Sequence, residues 1–433
     1  MPAKNPEQEA RDIALAAYWR VAKPELSADA LAKLIGTGRS TLDRRLAKAE
    51  EQGLIAQDWI FKQMPGRLWE ELAKTTDKDF IDRMERKYGE EKIPELHVVP
   101  TWPPRGPSLN FTDADIAHTN MQMVAHRAAQ VFLNRLDDMK VIGLCYGRTL
   151  RTMVDILEHF SAVVKKVLEK GSADTERTIV TLFGSLSFHF NDKRHSEWLE
   201  YSASHLTNRL ARIIGTNICK RRFLETPVYV PPAFLDLFTG KGSIETELGK
   251  ISKKISEAEA LQIAKAFVRT IPTYHDAFVG DQSDRSAIEE LDTIITSVGD
   301  LGTGFGSVPK DEVAPLLRPG ELAALHEEAV GDIAGRYVTE EGDAGSPGST
   351  VAKVNERIFG LTLEDLERTV QRAEENGKPG VIVIASSKKK ARVIRALINR
   401  PKKVISELIV SGDLAEELAP PKKVRKKSKQ TLA

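Results

Sequence analysis

Val141-Ile142-Gly143-Leu144-Cys145-Tyr146-Gly147-Arg148-Thr149-Leu150 passes from an apolar run, through a glycine-bearing turn, into helical spacing. A strand that turns directly into a helix leaves backbone N–H groups at the helix start, aimed past the end of the strand. An anion such as a phosphate binds there. A lone glycine-bearing turn is common and also reads as a simple tight turn, so its surroundings decide. Upstream, residues 121–136 carry helical periodicity. Downstream the spacing predicts helices over 150–168 and 202–214, and strands at 178–183, 277–279, 293–298, 381–384 and 404–410. Strands separated by helices of this length predict βαβ units and a mostly parallel sheet.

A different pattern occupies the N-terminus. SADALAKLIGTGRSTLDRRLAKAEE, residues 27–51, reads as two helices joined by Gly36-Thr37-Gly38. Leu31, Leu34 and Ile35 give the first an inward face, and Leu42, Leu46 and Ala49 give the second one. Ile13, Ala14, Ala17, Tyr18 and Val21 form an upstream apolar stripe, a third helix for a small core. The second helix opens with hydroxyls and guanidinium groups, which suit a DNA major groove. Thr37, Arg39, Ser40, Thr41, Arg44 and Arg45 are the expected DNA-binding residues, with Lys48 adding charge. Gly53-Leu54-Ile55 is read as the exit into the β-wing of a winged helix.

Between these regions the sequence reads as a connector over 61–110, ending in the proline-broken stretch 97–107. Residues 240–260, rich in Lys and Glu, are expected to be an exposed insertion. The chain therefore divides into 1–60 (helix-turn-helix), 61–110 (connector), 111–418 (effector and oligomerisation domain) and 419–433 (basic tail).

Composition narrows the function. With 433 residues, 41% hydrophobic and 29% charged, the chain has ample core for two domains. Its formal net charge of +1 confines any nucleic-acid site to a local patch. Two cysteines, Cys145 and Cys219, predict a reducing compartment without a disulfide framework. No signal peptide or membrane span is read, so a cytoplasmic, nucleoid-associated location is expected. The tail from Pro420 to Lys429 is strongly basic: a solvated segment or a non-specific DNA-binding arm. His189 and His195 lack the spacing of a metal pair, and neither a Gly-x-Ser-x-Gly elbow nor a Walker loop is present, so no metal, cofactor or catalytic residue is expected. Cys145 is read as a buried, inert thiol.

In its motifs the chain resembles the SorC/DeoR-type sugar-binding transcriptional regulators. Where that family carries Ile-Gly-x-Ser-Trp-Gly-x-Thr-Leu, this chain has Ile142 to Leu150. Where the family carries Ala-Val-Gly-Asp-x-x-Gly-Arg-Phe, it has Ala329-Val330-Gly331-Asp332-Ile333-Ala334-Gly335-Arg336-Tyr337. Ala385-Ser386-Ser387-Lys388-Lys389-Lys390-Ala391 is similar to the family's Ala-Gly-Gly-x-x-Lys element, and TIITSVGDLG at 293–302 to a family strand and loop. The resemblance implies an α/β fold: an N-terminal helix-turn-helix (winged helix), then a Rossmann-like, sugar-isomerase-like effector domain. It implies a dimer or tetramer whose binding to a double-stranded operator responds to a sugar or sugar-phosphate-like effector.

The effector residues expected on this basis are Gly147, Arg148, Thr149, Gly184, Asp332 and Lys390. Asp332 has a second reading as a helix N-cap. The departures are Cys145-Tyr146 for Ser-Trp, Ser386-Ser387 for Gly-Gly, and Phe183-Gly184-Ser185 for a second Gly-Gly element. They point to a reshaped pocket. The alternatives are a sugar-phosphate isomerase or deaminase, and a constitutive DNA-binding protein whose effector fold holds no ligand.

Overall fold

The computed structural model describes residues 6–22, 26–52, 77–99, 113–170, 176–184, 200–215, 219–222, 224, 229–239, 255–280, 285–301 and 317–420. At the N-terminus lie α1 (Pro6–Ala22), α2 (Ala28–Leu34) and α3 (Arg39–Glu51). Ser27 caps α2 by accepting from the Ala30 N–H, and Gly36, at φ 66°, makes the turn. Ile13, Ala17, Leu31, Leu42, Leu46 and Ala49 are buried together as the spacing predicts. Trp19, which that stripe omits, joins them and is 1% exposed. The side chains of Tyr18 and Val21, and the expected wing after residue 52, lie outside the described residues.

Next come α4 (Asp77–Tyr88), β1 (Glu95–Val99) and α5 (Asp113–Arg135). The expected connector thus supplies, within its described residues, a helix and a sheet strand. Seven strands then form a parallel sheet in the order β1-β9-β8-β5-β2-β3-β4. These are β2 (Val141–Leu144), β3 (Arg177–Thr181), β4 (Cys219–Arg222), β5 (Thr293–Asp300), β8 (Gly380–Ala385) and β9 (Glu407–Ser411), with β1 at one edge. Two short strands, β6 (Gly331–Ile333) and β7 (Arg336–Val338), make a hairpin paired antiparallel to the end of β5.

The central strands β5, β8 and β9 are buried on both faces because helices cover both. Along β8, Val381 and Val383 pack into a core with Leu366, Val370, Ile394 and Leu397. Ile382 and Ile384 pack into another with Val124, Phe132 and Leu150. Near-continuous apolar runs are what a doubly covered parallel sheet requires.

Three expectations change. Residues 277–279 are not a strand: they end the helix Pro272–Phe278 and its cap. Three apolar residues carry no usable period, and Pro272 at the first helical position starts a helix. The helix expected over 150–168 is two, α6 (Arg148–His159) and α7 (Ser161–Lys170), broken at the buried Phe160. The insertion at 240–260 is not wholly exposed. Ser256 and Glu259 form a capping box that starts the helix Glu257–Arg269, which buries Ala260, Leu261, Ala264 and Val268. Residues 240–254 lie outside the described residues.

Candidate effector site

Counted from β2, the chain steps outward to β3 and β4, then returns to β5, β8 and β9 on the other side. The order reverses between β2 and β5. In open parallel sheets, the crevice beyond the carboxyl ends of such strands is where ligands bind. Three segments converge there: the turn from β2 into α6, the β6–β7 hairpin on the end of β5, and the turn after β8.

The first is built around Gly147, whose φ of 135° is open to glycine and little else. A Cβ there would also stand 2.9 Å from the Ser297 Oγ. The Gly147 N–H donates to the Tyr201 carbonyl at 3.2 Å, so this residue shapes the turn and its donor is already used. The N–H groups that a helix start leaves without helical partners are those of Arg148, Thr149 and Leu150. Arg148 is exposed and Thr149 is buried.

The second segment corrects one reading. Asp332 is not an N-cap. It lies in β6 opposite Gly299 of β5, 2% exposed, and its Oδ2 accepts from the Gly335 N–H at 3.2 Å across the hairpin turn. Gly335 has φ 80°, and a Cβ there would fall 2.2 Å from the Phe183 ring. That ring packs against Tyr146, with centroids 4.2 Å apart. The motif's Arg336 is a brace rather than a ligand group. It is buried and donates to the carbonyls of Leu361, Asn355 (2.6 Å) and Gly360 (3.1 Å). Burial pulls its guanidinium down to about 10.

The third segment is the 3₁₀ turn Lys388–Lys390, packed against β5 and led by Ser387, whose hydroxyl accepts from the Lys389 N–H. Lys388 and Lys389 are exposed, whereas Lys390 is half-buried. Burial pulls its ammonium down to about 8; Asp332 and Asp300 raise it and Arg148 lowers it further. These charges act on one another because three strand ends bring them to one crevice. Of the expected effector residues, Gly147, Arg148, Thr149, Asp332 and Lys390 are gathered here. Gly184 is buried just beyond β3, next to β2. Asp300 and the Tyr146–Phe183 pair were missed: Asp300 ends an otherwise uncharged strand, and no spacing pairs residues 146 and 183.

Cys145 is buried, and its thiol is pushed up to about 12 by burial. It is the inert group the sequence predicts.

In the N-terminal unit, Arg39, Ser40 and Arg44 are exposed, and Thr37 and Thr41 are half-buried. Arg45 turns toward α1 and pairs with Asp12. Lys48 pairs with Glu9, and Arg39 with Asp29 at 3.1 Å and Asp43 at 3.6 Å.

On the far edge of the sheet, Glu95, His97 and Glu407 bring three potential metal-ligand atoms within 4.8 Å of one another. Their hydrogen bonds give them a different role. The Arg127 guanidinium, which can only donate, meets His97 Nδ1 at 3.3 Å, so Nδ1 accepts and Nε2 carries the proton. Nε2–H then donates to the Glu407 carboxylate at 3.3 Å, while Arg135 reaches Glu95 at 2.9 Å and Glu407 at 3.1 Å. The cluster ties β1 to β9 and α5, and its charges are already matched.

No family model matches the chain, and no curated protein matches it in sequence. Solved structures share its fold. The full-length sorbitol operon regulator SorC from Klebsiella pneumoniae aligns with a TM-score of 0.50 at 14% identity, over 96% of this chain and 100% of its own. A transcriptional regulator from Streptococcus pneumoniae TIGR4 aligns at 0.48 and 16% identity, over 80% of this chain and 97% of that one. A DeoR family transcriptional regulator from Listeria monocytogenes aligns at 0.45 and 16% identity, over 78% and 98%. The likeness to the full-length regulator spans both units, so the chain has its fold: a helix-turn-helix followed by a Rossmann-like α/β domain.

Proposed function

We propose that the protein is a bacterial transcriptional regulator whose DNA binding responds to an anionic, hydroxyl-bearing metabolite of the sugar-phosphate class. One observation carries the reading. Arg148, the start of α6 and Lys390 meet Asp332 and Asp300 at the reversal of strand order, in a chain that also carries a helix-turn-helix. The two cations and the helix start suit a phosphate, since a helix N-terminus carries partial positive charge. The two carboxylates suit hydroxyl donors. A fold neighbour that aligns over 96% of the chain is an operon regulator, which supports the same reading.

The metabolite acts by population shift. It favours one arrangement of a dimer or tetramer, and that arrangement sets the spacing of paired recognition helices along the operator. The test is thermal stabilisation of the full chain by a panel of phosphosugars. A true effector stabilises the folded chain by mass action, by about 2.7 kcal/mol at a hundred times its dissociation constant, and so raises the melting temperature. The same compound should change affinity for the operator. Arg148→Ala and Lys390→Met should each weaken both effects. A panel that leaves melting and DNA affinity unmoved overturns the effector reading. Turnover of a phosphosugar that is lost in Arg148→Ala would favour an enzyme.

A further inference from the structure

The basic residues of α3 face two ways. Leu42, Leu46 and Ala49 define its buried side, and Arg45 falls on the flank of that side, with its side chain only 13% exposed. Its partner Asp12 on α1 is 16% exposed. On the opposite side, Ser40, Arg44 and Ala47 are exposed in a line, four and three residues apart. That spacing aligns them on one helical stripe.

We propose that Arg44 reads a base, and that Arg45 with Asp12 is a brace setting the angle of α3 on α1. The assignment rests on the DNA-binding reading above and divides its labour. A half-buried ion pair and an exposed one behave differently when DNA approaches. Opening the pair of Arg39 with Asp29, 57% and 67% exposed, costs little, so Arg39 can turn to a phosphate. Pulling Arg45 away would break a pair whose two side chains are largely shielded from water, which is costly.

Arg44 faces no such cost. Its guanidinium can offer two parallel donors to the O6 and N7 of a guanine. Ser40 precedes it by a turn with a hydroxyl, and Ala47 follows with a methyl suited to a thymine methyl. From Ser40 to Ala47 the helix rises about 10 Å, close to three base-pair steps. The expected site therefore contains a guanine with a thymine one or two steps away.

The experiment selects binding sites from random duplex DNA with the full-length wild type, Arg44→Ala, Arg45→Ala and Asp12→Asn, and measures melting of each. Arg44→Ala should melt like the wild type and lose roughly ten- to hundred-fold of the preference at one guanine position. Arg45→Ala and Asp12→Asn should both melt lower and bind more weakly, while keeping the selected base pattern. Loss of base preference in Arg45→Ala with its retention in Arg44→Ala overturns the assignment. Unchanged melting in both Arg45→Ala and Asp12→Asn overturns the brace. A wild type that enriches no duplex removes the DNA-binding reading itself, and the melting comparison then still decides the brace.

Discussion

Lys390 is where the proposed effector site and pH meet. Burial holds its ammonium at about 8, below the ordinary lysine range, although Asp332 and Asp300 oppose the shift. A group lowered on folding binds fewer protons in the folded state than in the unfolded one between the two values. The ligand-free protein should therefore gain stability as pH rises from about 8 toward the ordinary lysine range. Anion binding runs the opposite way. A phosphate is attracted to the charged form, so its affinity should fall as pH rises through 8. Titrations of inorganic phosphate against melting temperature at pH 7, 8 and 9 should show that fall in the wild type, and Lys390→Met should flatten it. A second residue-scale test concerns Cys145. With its thiol near 12, it should resist a thiol-specific reagent at neutral pH in the folded chain and react once the chain is unfolded.

The β6–β7 hairpin shows what an element needs in order to serve the crevice. Asp332 is placed by pairing with β5, and the hairpin in turn is held from below by Arg336 and by Asn355, whose side chain donates to the Tyr337 carbonyl at 2.8 Å and accepts from its N–H at 3.0 Å. Arg336→Met keeps an unbranched apolar stem but leaves three carbonyls without their donor. At about 1–3 kcal/mol for each buried unsatisfied group, the loss should be roughly 3–9 kcal/mol, read as a lower urea midpoint. Affinity for a hydroxyl-bearing phosphosugar should fall with it, because the hairpin carries Asp332. Here too the reach of sequence reading becomes clear. The strands β2, β3, β5, β8 and β9 were legible because buried parallel strands are long β-branched runs, and the turn at Gly147 because glycine follows one of them. The edge strand β1 was not, since ELHVV is short, bears a charge and a histidine, and leads into prolines. The roles of Arg336 and Arg45 were hidden for another reason. A guanidinium in a motif looks the same whether it meets a ligand, a carbonyl or a carboxylate, and only the partner across the fold distinguishes them.

Taken whole, the molecule has little net charge to bring to DNA, and α3 has fewer cations to spare than its sequence suggests. With Arg45 committed to Asp12 and Arg44 assigned to a base, the cations of that helix left for phosphates are Arg39 and Lys48, both in exposed, loosely held pairs. Sequence-independent affinity scales with the number of phosphates neutralised, so two cations per recognition helix make a weak foothold at physiological salt. The basic tail can supply the rest. Residues 421–433 hold six lysines and arginines, and removing them turns a formal net charge of +1 into −5. Deleting 421–433 should therefore lower affinity for every duplex alike and reduce the salt slope of binding, by roughly 0.9 for each phosphate that the tail neutralises. The bases selected by Arg44 should stay the same, because phosphate contacts carry no sequence information. Binding measured from 50 to 200 mM salt separates the outcomes. A slope that falls by several units at unchanged base preference makes the tail an arm, whereas an unchanged slope leaves the whole electrostatic contribution to the helix-turn-helix.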